Sequence, residues 1–209
     1  MIKPYYDHNG ITIYHGDCLK IMPQLETVDL ICTDPPYNVG IDFGDKVDDK
    51  RNDYADWCDK WFNLLKADGI LLTPGIGNLK MWMMKDPRWV IAWTKPNSMK
   101  RITIGFNCWE PVLLWGKPKI NSYRDLFEAP TKPNPPGHPT PKPLKLYKQL
   151  IKGFTDINQT ILDPFMGSGT TLVAAKELGR KAIGIEIEEK YCKIAARRLS
   201  QEVFPFKEK

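Results

Sequence analysis

The sequence lacks the long apolar run that a membrane-spanning helix needs. No window approaches the ~20 consecutive apolar residues that cross a bilayer, and no charged N-terminal segment leads into an apolar core. From these absences we expect neither membrane insertion nor secretion, and we predict a soluble, cytoplasmic protein.

Cysteine is sparse and shows no pattern. Five cysteines are scattered through the chain, and no two of them are separated by only two residues. An odd number without close spacing favours neither a disulfide framework nor a zinc site. We therefore expect reduced thiols and no bound metal.

Neither sign of charge dominates, and we find no internal repeat. Thirty basic and 25 acidic residues leave a formal net charge of +5, which mildly favours a polyanionic partner. A chain of 209 residues with 42% hydrophobic content suffices for one sizeable core and leaves little for a second. We predict a single domain over residues 1–209.

The most informative stretch is a short apolar run that ends in a carboxylate and two prolines. Val28–Thr33 predicts a buried parallel strand, and Asp34-Pro35-Pro36-Tyr37 follows it directly. Ligands of open α/β sheets bind at such strand ends. Asp34 and the Pro35 carbonyl can accept hydrogen bonds from an amino group, and Tyr37 offers a face on which a flat ring can stack. The alternative is a strand that simply ends in a turn.

A second predicted strand end carries a glycine-rich turn. The run from Asp163 to Thr171 follows Thr160–Leu162 and precedes a predicted helix. Glycine lets backbone amides approach a ligand, the helix N-terminus suits a carboxylate, and Asp163 can take an ammonium group. A phosphate-binding P-loop would carry lysine directly after its last glycine, whereas this sequence has Thr170 there.

Glu186 lies at the tip of a further predicted strand, Lys181–Glu186. Its spacing from the glycine-rich turn suits a carboxylate that binds ribose hydroxyls. Dinucleotide-binding folds use the same arrangement, so Glu186 alone does not identify the cofactor.

Together these strand ends resemble the motifs of the DNA amino-methyltransferases, which methylate an exocyclic amino group of adenine or cytosine from S-adenosylmethionine. Asp34-Pro35-Pro36-Tyr37 matches the catalytic motif of that family, and residues 163–171 match its cofactor loop. The catalytic motif comes first along the chain, as in the family's beta group. The resemblance implies that the following residues contact S-adenosylmethionine: Asp17, Cys18, Lys142, Asp163, Pro164, Phe165, Gly167, Ser168, Gly169, Thr170, Thr171 and Glu186.

The resemblance also implies a fold, a substrate and a reaction. We expect a three-layer α/β fold of the class I S-adenosylmethionine-dependent methyltransferase (Rossmann-like) type, with a mostly parallel sheet and an antiparallel hairpin near Trp89 to Trp115. Double-stranded DNA is the expected partner, with the target base flipped out of the helix. Aspartate at position 34 favours adenine, because the cytosine enzymes of the family more often have serine there.

Two of the implied cofactor residues have simpler interpretations. Asp17 matches the carboxylate that meets the cofactor's adenine, but it also precedes a short helix that it could cap. Lys142 belongs to a stretch at residues 138–144 that resembles the family motif lining the pocket of the methionine tail, and the resemblance implies that Lys142 meets the carboxylate there. A lysine between prolines is otherwise simply exposed.

Three segments are candidates for contact with DNA. Lys95, Lys100 and Arg101 form a basic, proline-interrupted segment suited to phosphates, although solvated basic loops are common. The glycine-rich loop at residues 38–52 is either a lid over the site or a solvated loop. The target-recognition segment is short, near residues 116–137, and lies in a proline-rich interval where we expect no packed helix or strand. A short recognition segment makes a homodimer plausible.

Four functions follow from the sequence in this order. The first is methylation of adenine at N6, and its near rival is methylation of cytosine at N4. A catalytically inactive DNA-binding relative and a dinucleotide oxidoreductase are the others. The recognition sequence and any partner endonuclease are not specified by the sequence.

Overall fold

A computed structural model describes residues 2–44, 47, 49–98, 101–102, 105–121, 124–131 and 142–201 of the chain. Within these residues a single nine-stranded sheet is flanked by helices, and a two-stranded ribbon lies apart from it. The strands are β1 (Tyr6–His8), β2 (Ile11–His15), β3 (Val28–Thr33), β4 (Ala67–Leu72), β5 (Trp89–Thr94), β6 (Arg101–Ile102), β7 (Gly105–Phe106), β8 (Trp109–Gly116), β9 (Leu126–Glu128), β10 (Thr160–Asp163) and β11 (Lys181–Glu186). The helices are α1 (Cys18–Ile21), α2 (Tyr54–Phe62), α3 (Leu79–Met83), α4 (Leu144–Phe154), α5 (Thr170–Glu177) and α6 (Glu189–Ser200).

The sheet has the order β1-β2-β11-β10-β3-β4-β8-β5-β9. Its central strands from β2 to β4 are parallel, and β8 runs antiparallel between β4 and β5. The predicted antiparallel hairpin is β5 with β8, which pair from Trp89 opposite Leu114 to Thr94 opposite Trp109. The predicted α/β fold with a mostly parallel sheet is therefore confirmed.

Hydrophobic cores cover both faces of the sheet, which explains why the central strands are apolar almost without interruption. Successive residues of β3 alternate between the two cores: Leu30 lies in one and Ile31 in the other, both fully buried. The aromatic stripe of α2 packs in the second core, where Trp61 is fully buried against Trp82.

The Asp68-Gly69 pair, which follows the aromatic stripe, predicts the end of a helix there, and this prediction is wrong. The helix α2 ends at Phe62 rather than at Asp68 and Gly69, which lie in β4. Gly69 is needed in that strand because a Cβ there would lie 2.6 Å from Cγ of Pro118.

The proline-rich interval also contains a strand where none was expected. Strand β9 pairs parallel with β5 at the sheet edge. No proline occurs between residues 119 and 129, so the backbone donors needed for pairing are intact. Phe127 is buried, and Nε1 of Trp93 donates to the carbonyl of Ala129 at 2.8 Å, which anchors this segment to the core.

None of the helices in the described part of the chain is long and apolar enough to cross a membrane.

Gly184 provides a test of how closely β11 packs against its neighbours. A Cβ at this position would lie 2.8 Å from Cδ2 of Leu172, in contact with Sδ of Met166 as well. We expect Gly184→Ala to lower the free energy of unfolding by about 1–3 kcal/mol, because it overpacks a filled site. Urea denaturation would measure this. Gly77→Ala is the matched control, since nothing lies within 4 Å of its Cβ; equal losses in both variants would contradict the packing argument.

Candidate active site

Two neighbouring strand ends bring the candidate residues to one edge of the sheet. Strands β3 and β10 are parallel and in register, with Leu30 opposite Ile161. Asp34 follows β3, and Asp163 ends β10. Oγ1 of Thr33 donates a hydrogen bond to Oδ1 of Asp163 at 2.8 Å, which joins the two ends directly. A cavity of about 480 Å³ opens there, lined both by residues 34–37 and by the glycine-rich turn.

Both carboxylate oxygens of Asp34 are hydrogen-bonded. Oδ1 accepts from the hydroxyl of Tyr37 and from Oγ1 of Thr73, the latter at 2.5 Å. Oδ2 accepts from Nζ of Lys142 at 2.6 Å, and the same ammonium lies 4.8 Å from the centroid of the Tyr37 ring. Burial, followed by the charges of Asp34 and Glu110, raises the pKa of the Tyr37 hydroxyl well above its usual range, so Tyr37 remains a donor.

The carbonyls of Pro36 and Tyr37 both accept hydrogen bonds from neighbouring side chains, whereas in the described part of the chain that of Pro35 does not. The hydroxyl of Tyr54 donates to the carbonyl of Pro36 at 2.8 Å, and Nδ2 of Asn78 donates to the carbonyl of Tyr37 at 2.8 Å. Pro35 is buried, and no hydrogen bond to its carbonyl comes from the described residues. Among the described residues the carbonyl of Pro35, which directly follows Asp34 in the chain, is therefore an unused acceptor.

Asp163 is held by three donors. Its Oδ1 accepts from Thr33 and, at 3.1 Å, from the backbone amide of Phe165, while Oδ2 accepts from Oγ1 of Thr171 at 2.6 Å. The residue is only 2% exposed, and burial raises the pKa of its carboxyl to about 6 despite these hydrogen bonds. A carboxylate accepts about four hydrogen bonds, so Asp163 keeps capacity for a further donor.

The glycine-rich turn takes the conformation that its sequence predicts. Gly167 and Gly169 have φ values of 51° and 78°, and Gly169 stands directly before α5. A Cβ on Gly169 would lie 2.7 Å from Cβ of Ala195 in α6. From the same helix Nη1 of Arg198 donates to the carbonyl of Ser168 at 2.6 Å, which fixes the turn from behind.

Glu186 is the last residue of β11, the strand next to β10 in the sheet. Its Oε2 accepts from the amide of Gly167 at 3.0 Å, and its Oε1 accepts from the amide of Glu188 at 2.8 Å. Burial raises the pKa of the Glu186 carboxyl to about 7, which these amide hydrogen bonds only partly oppose.

Asp17 and Cys18 form a third corner of the cavity. Oδ1 of Asp17 accepts from the amide of Leu19 at 2.9 Å, so Asp17 caps α1 while it lines the cavity. Burial raises the pKa of the Cys18 thiol to about 12, which keeps it protonated.

The structure gives positions for three of the predicted basic residues, and it contradicts the expectation for Lys95. Lys95 is 3% exposed, and its Nζ pairs with Oε1 of Glu110 at 2.6 Å, so it is not available to a DNA phosphate. Lys142, expected at the cofactor carboxylate, lines the cavity, and its Nζ pairs with Oδ2 of Asp34 at 2.6 Å. Lys100 and residues 138–141 lie outside the described residues, whereas Arg101 is exposed on β6.

The loop at residues 38–52 is organised in its described part by a buried carboxylate. Asp49 is 4% exposed and accepts from the amides of Asn38, Val39 and Ile41 at 2.6, 3.1 and 2.8 Å. Residues of this loop, among them Phe43 and Ile41, line the cavity. The described residues of this loop therefore form part of the cavity wall, and its role as a lid stays a prediction.

Comparison with known proteins identifies the family. The model of the N6/N4 methyltransferase family, described as DNA methylase, matches residues 28–134 and 106–197. The chain belongs to this DNA methylase family. It is a DNA methyltransferase, as the resemblance predicted.

Two relatives and two solved structures cover nearly all of this DNA methyltransferase. It is 30% identical to the type II methyltransferase M2.LlaDCHI of Lactococcus lactis subsp. cremoris, over 96% of this chain and 93% of that protein. It is also 30% identical to the DNA adenine methyltransferase YhdJ of Escherichia coli K12, over 93% of this chain and 84% of that one. The crystal structure of the M1.HpyAVI-SAM complex matches with a TM-score of 0.67 and 30% identity, covering 91% of this chain and 100% of that one.

The second solved structure supports the fold alone. The cytosine-N4-specific PvuII DNA methyltransferase matches with a TM-score of 0.75, covering 97% of this chain and 91% of that one, but its sequence identity is 20%.

Sequence reasoning missed several residues of the methyltransferase site. Thr73 and Arg198 come to the site from the end of β4 and from α6, far away in the sequence, and no local motif marks them. Glu110 belongs to a stretch, residues 107–110, that resembles the family only loosely and from which no role is assigned. Asp49 had a weak local signal, since an aspartate in a glycine-containing loop often accepts backbone amides. In the described residues no group of three or more histidine, cysteine or acidic side chains is arranged to hold a metal ion.

The raised pKa of Glu186 predicts a pH dependence of stability. Its folded value of about 7 exceeds its ordinary value of 4.5, so its protonated form favours the fold. This contribution is complete below about pH 4.5 and is lost as the pH rises through about 7. Between these limits we expect the free energy of unfolding of the wild type to fall by on the order of 3 kcal/mol relative to Glu186→Gln.

Urea denaturation at a series of pH values measures this difference. Glu189→Gln is the control, because that carboxyl is exposed and pairs at the surface with Lys193, and its variant should keep the wild-type slope. A Glu186→Gln protein with an unchanged slope would show that Glu186 does not titrate in this range.

Proposed function

We propose that this DNA methyltransferase transfers the methyl group of S-adenosylmethionine to N6 of an adenine that has been flipped out of double-stranded DNA. The observation that carries the proposal is the single cavity shared by Asp34-Pro35-Pro36-Tyr37 and the glycine-rich turn. An acceptor base in the first corner and a methyl donor in the second would face each other within it. The proposal concerns the target base and the residue roles, since DNA methyltransferase activity follows from the family.

The cofactor is S-adenosylmethionine, which is also present in the M1.HpyAVI complex. The cavity fits it in size, since about 480 Å³ is within the range of small-molecule sites. Glu186 and Asp17 lie at strand ends where a carboxylate can meet ribose hydroxyls and the adenine amino group, and Pro164 and Phe165 line the wall between them. The N-terminus of α5 at Thr170 suits the cofactor's carboxylate. When bound, S-adenosylmethionine supplies a methyl group on a sulfonium centre.

The acceptor corner prepares an amino group for attack. The lone pair of an exocyclic amine is delocalised into its ring, so the nitrogen is a poor nucleophile until its N–H groups are held. In this proposal Oδ2 of Asp34 and the carbonyl of Pro35 accept hydrogen bonds from the two N–H groups, and Tyr37 stacks on the ring; all three residues line the cavity. Orientation and fixed dipoles of this kind supply several kcal/mol.

Adenine is proposed over cytosine because aspartate occupies position 34. A relative that is 30% identical carries the name DNA adenine methyltransferase. Methylation of cytosine at N4 is the second candidate function, and an inactive DNA-binding relative is the third.

A β-ribbon in the connection between β5 and β8 is proposed to contact DNA. Its strands β6 and β7 pair with each other and place Arg101 directly opposite Phe106. Both side chains are exposed, so they can meet a phosphate and a groove or base surface respectively. The homodimer and the cytoplasmic location stay predictions.

The target base is identified by product analysis. Genomic DNA incubated with the enzyme and methyl-labelled S-adenosylmethionine is digested to nucleosides, and we expect the label in N6-methyldeoxyadenosine. Label only in N4-methyldeoxycytidine would overturn the choice of adenine, and no label would favour the inactive relative. Sequencing the methylated DNA at base resolution gives the recognition site.

Asp34→Ala tests the role of the acceptor corner. Loss of the carboxylate removes one of the two groups that hold the amino nitrogen, so turnover should fall by at least about a hundredfold. Cofactor affinity, measured by calorimetry, should change little because the cofactor corner is intact. Asp68→Ala, on an exposed side chain at the opposite end of β4, is the control. Unchanged turnover in Asp34→Ala would refute the role of this residue.

A further inference from the structure

The acceptor position on Asp34 is occupied by a lysine. Nζ of Lys142 lies 2.6 Å from Oδ2 of Asp34 and 4.8 Å from the centroid of the Tyr37 ring. A nitrogen donor that pairs with this carboxylate over this ring imitates the amino group of a stacked base. Lys142 and a substrate base therefore compete for the same two partners.

Lys142 is largely buried, so its ammonium needs a second hydrogen-bond acceptor if it is displaced from Asp34. The side chains of Lys142 and Asp34 are 10% and 18% exposed. Removing one partner from such a pair strands a poorly solvated charge, which is strongly unfavourable. Base entry is favourable only where the ammonium finds another anionic partner nearby.

Glu110 offers that partner. Its Oε1 is held by Lys95 at 2.6 Å, whereas its Oε2 is buried without a hydrogen bond, the single carboxylate oxygen in that condition in the described part of the chain. Glu110, Lys142 and Asp34 line the same cavity. The charge of Glu110 also acts on the Tyr37 hydroxyl, which places this carboxylate within electrostatic reach of the ring that Lys142 covers.

We propose that Lys142 is a placeholder for the substrate's amino group, and that it moves from Asp34 to Oε2 of Glu110 as the base enters. This inference rests on the proposed function of the Asp34 corner. Lys142 is then a positioning residue: it keeps Asp34 and Tyr37 in place for the base, and it leaves them when the base stacks. The move satisfies the buried oxygen of Glu110 and uncovers the face of Tyr37.

The role differs from the one that the family resemblance implies for Lys142. A lysine that held the cofactor's carboxylate would make Lys142→Met bind S-adenosylmethionine more weakly. A placeholder makes no such contact, so the same variant should bind the cofactor with unchanged affinity and bind the flipped base more tightly.

Binding of a duplex with 2-aminopurine at the target position tests the placeholder directly. The duplex carries the mapped recognition site, S-adenosylhomocysteine is present so that no turnover occurs, and the rise in 2-aminopurine fluorescence reports flipping. We expect Lys142→Met to bind the flipped duplex about tenfold more tightly. This is the gain if roughly a tenth of the wild-type enzyme has Asp34 free of Lys142 before the substitution. Lys145→Met is the matched control, because that lysine is exposed on α4 and should leave binding unchanged.

A double-variant cycle tests the destination of the lysine. Glu110→Gln keeps an oxygen for Lys95 but removes the anionic partner, so it should weaken the flipped complex about tenfold when Lys142 is present. In the Lys142→Met background the same change should have no effect. Thermal melting confirms that each variant is folded, and Lys142→Gln gives the same comparison if the methionine variant does not fold.

The outcomes separate the proposal from its rivals. Weaker cofactor binding in Lys142→Met, measured by calorimetry, or unchanged duplex binding would overturn the placeholder. Equal weakening by Glu110→Gln in both backgrounds would show that Glu110 acts without Lys142. Failure of the proposed function is recognised independently, since the wild-type enzyme would then leave no methylated adenine in the sequenced DNA.

Discussion

The hydrogen bond from Thr33 to Asp163 joins the two halves of the site, and the rest of the arrangement depends on it. It forms because β3 and β10 are adjacent, parallel and in register, so their carboxyl ends meet at one height of the sheet. Thr33 immediately precedes Asp34, and Asp163 immediately precedes the glycine-rich turn. A shift of either strand by one residue would turn the acidic side chain of that strand to the other face of the sheet.

Several acidic side chains lie along this edge of the sheet, and each accepts hydrogen bonds. Asp163 and Glu186 are buried, and their pKa values are raised although hydroxyls or amides bind them. Such a lining attracts a cationic group in a region of low dielectric constant. A sulfonium carries a positive charge, and so does the ammonium of Lys142, which already lies on Asp34. The negative charge along this edge thus suits both the sulfonium of the proposed methyl donor and the ammonium of Lys142.

The sequence was informative where a function depends on consecutive residues at a strand end. Asp34, Asp163 and Glu186 could all be placed at the cavity, because an apolar run followed by a carboxylate predicts a buried strand with a polar tip. Lys95 was wrongly predicted to be exposed, because the proline and basic residues near it in the sequence indicate a surface segment. Its partner Glu110 is brought to it only by the pairing of β5 with β8. Arg198 could not be found, since it reaches the turn from a helix about 30 residues further along the chain.

The strand order has a consequence for how the chain becomes a protein. Strands β10 and β11 insert between β2 and β3, so the N-terminal part of the sequence cannot complete its own sheet. On a ribosome, β2 and β3 would wait with open edges until the last strands had emerged, and such edges invite pairing with other chains. Pairings this distant in sequence also slow folding. The cavity therefore comes into being only with the final strands, and a shortened translation product would contain the acceptor motif without a site.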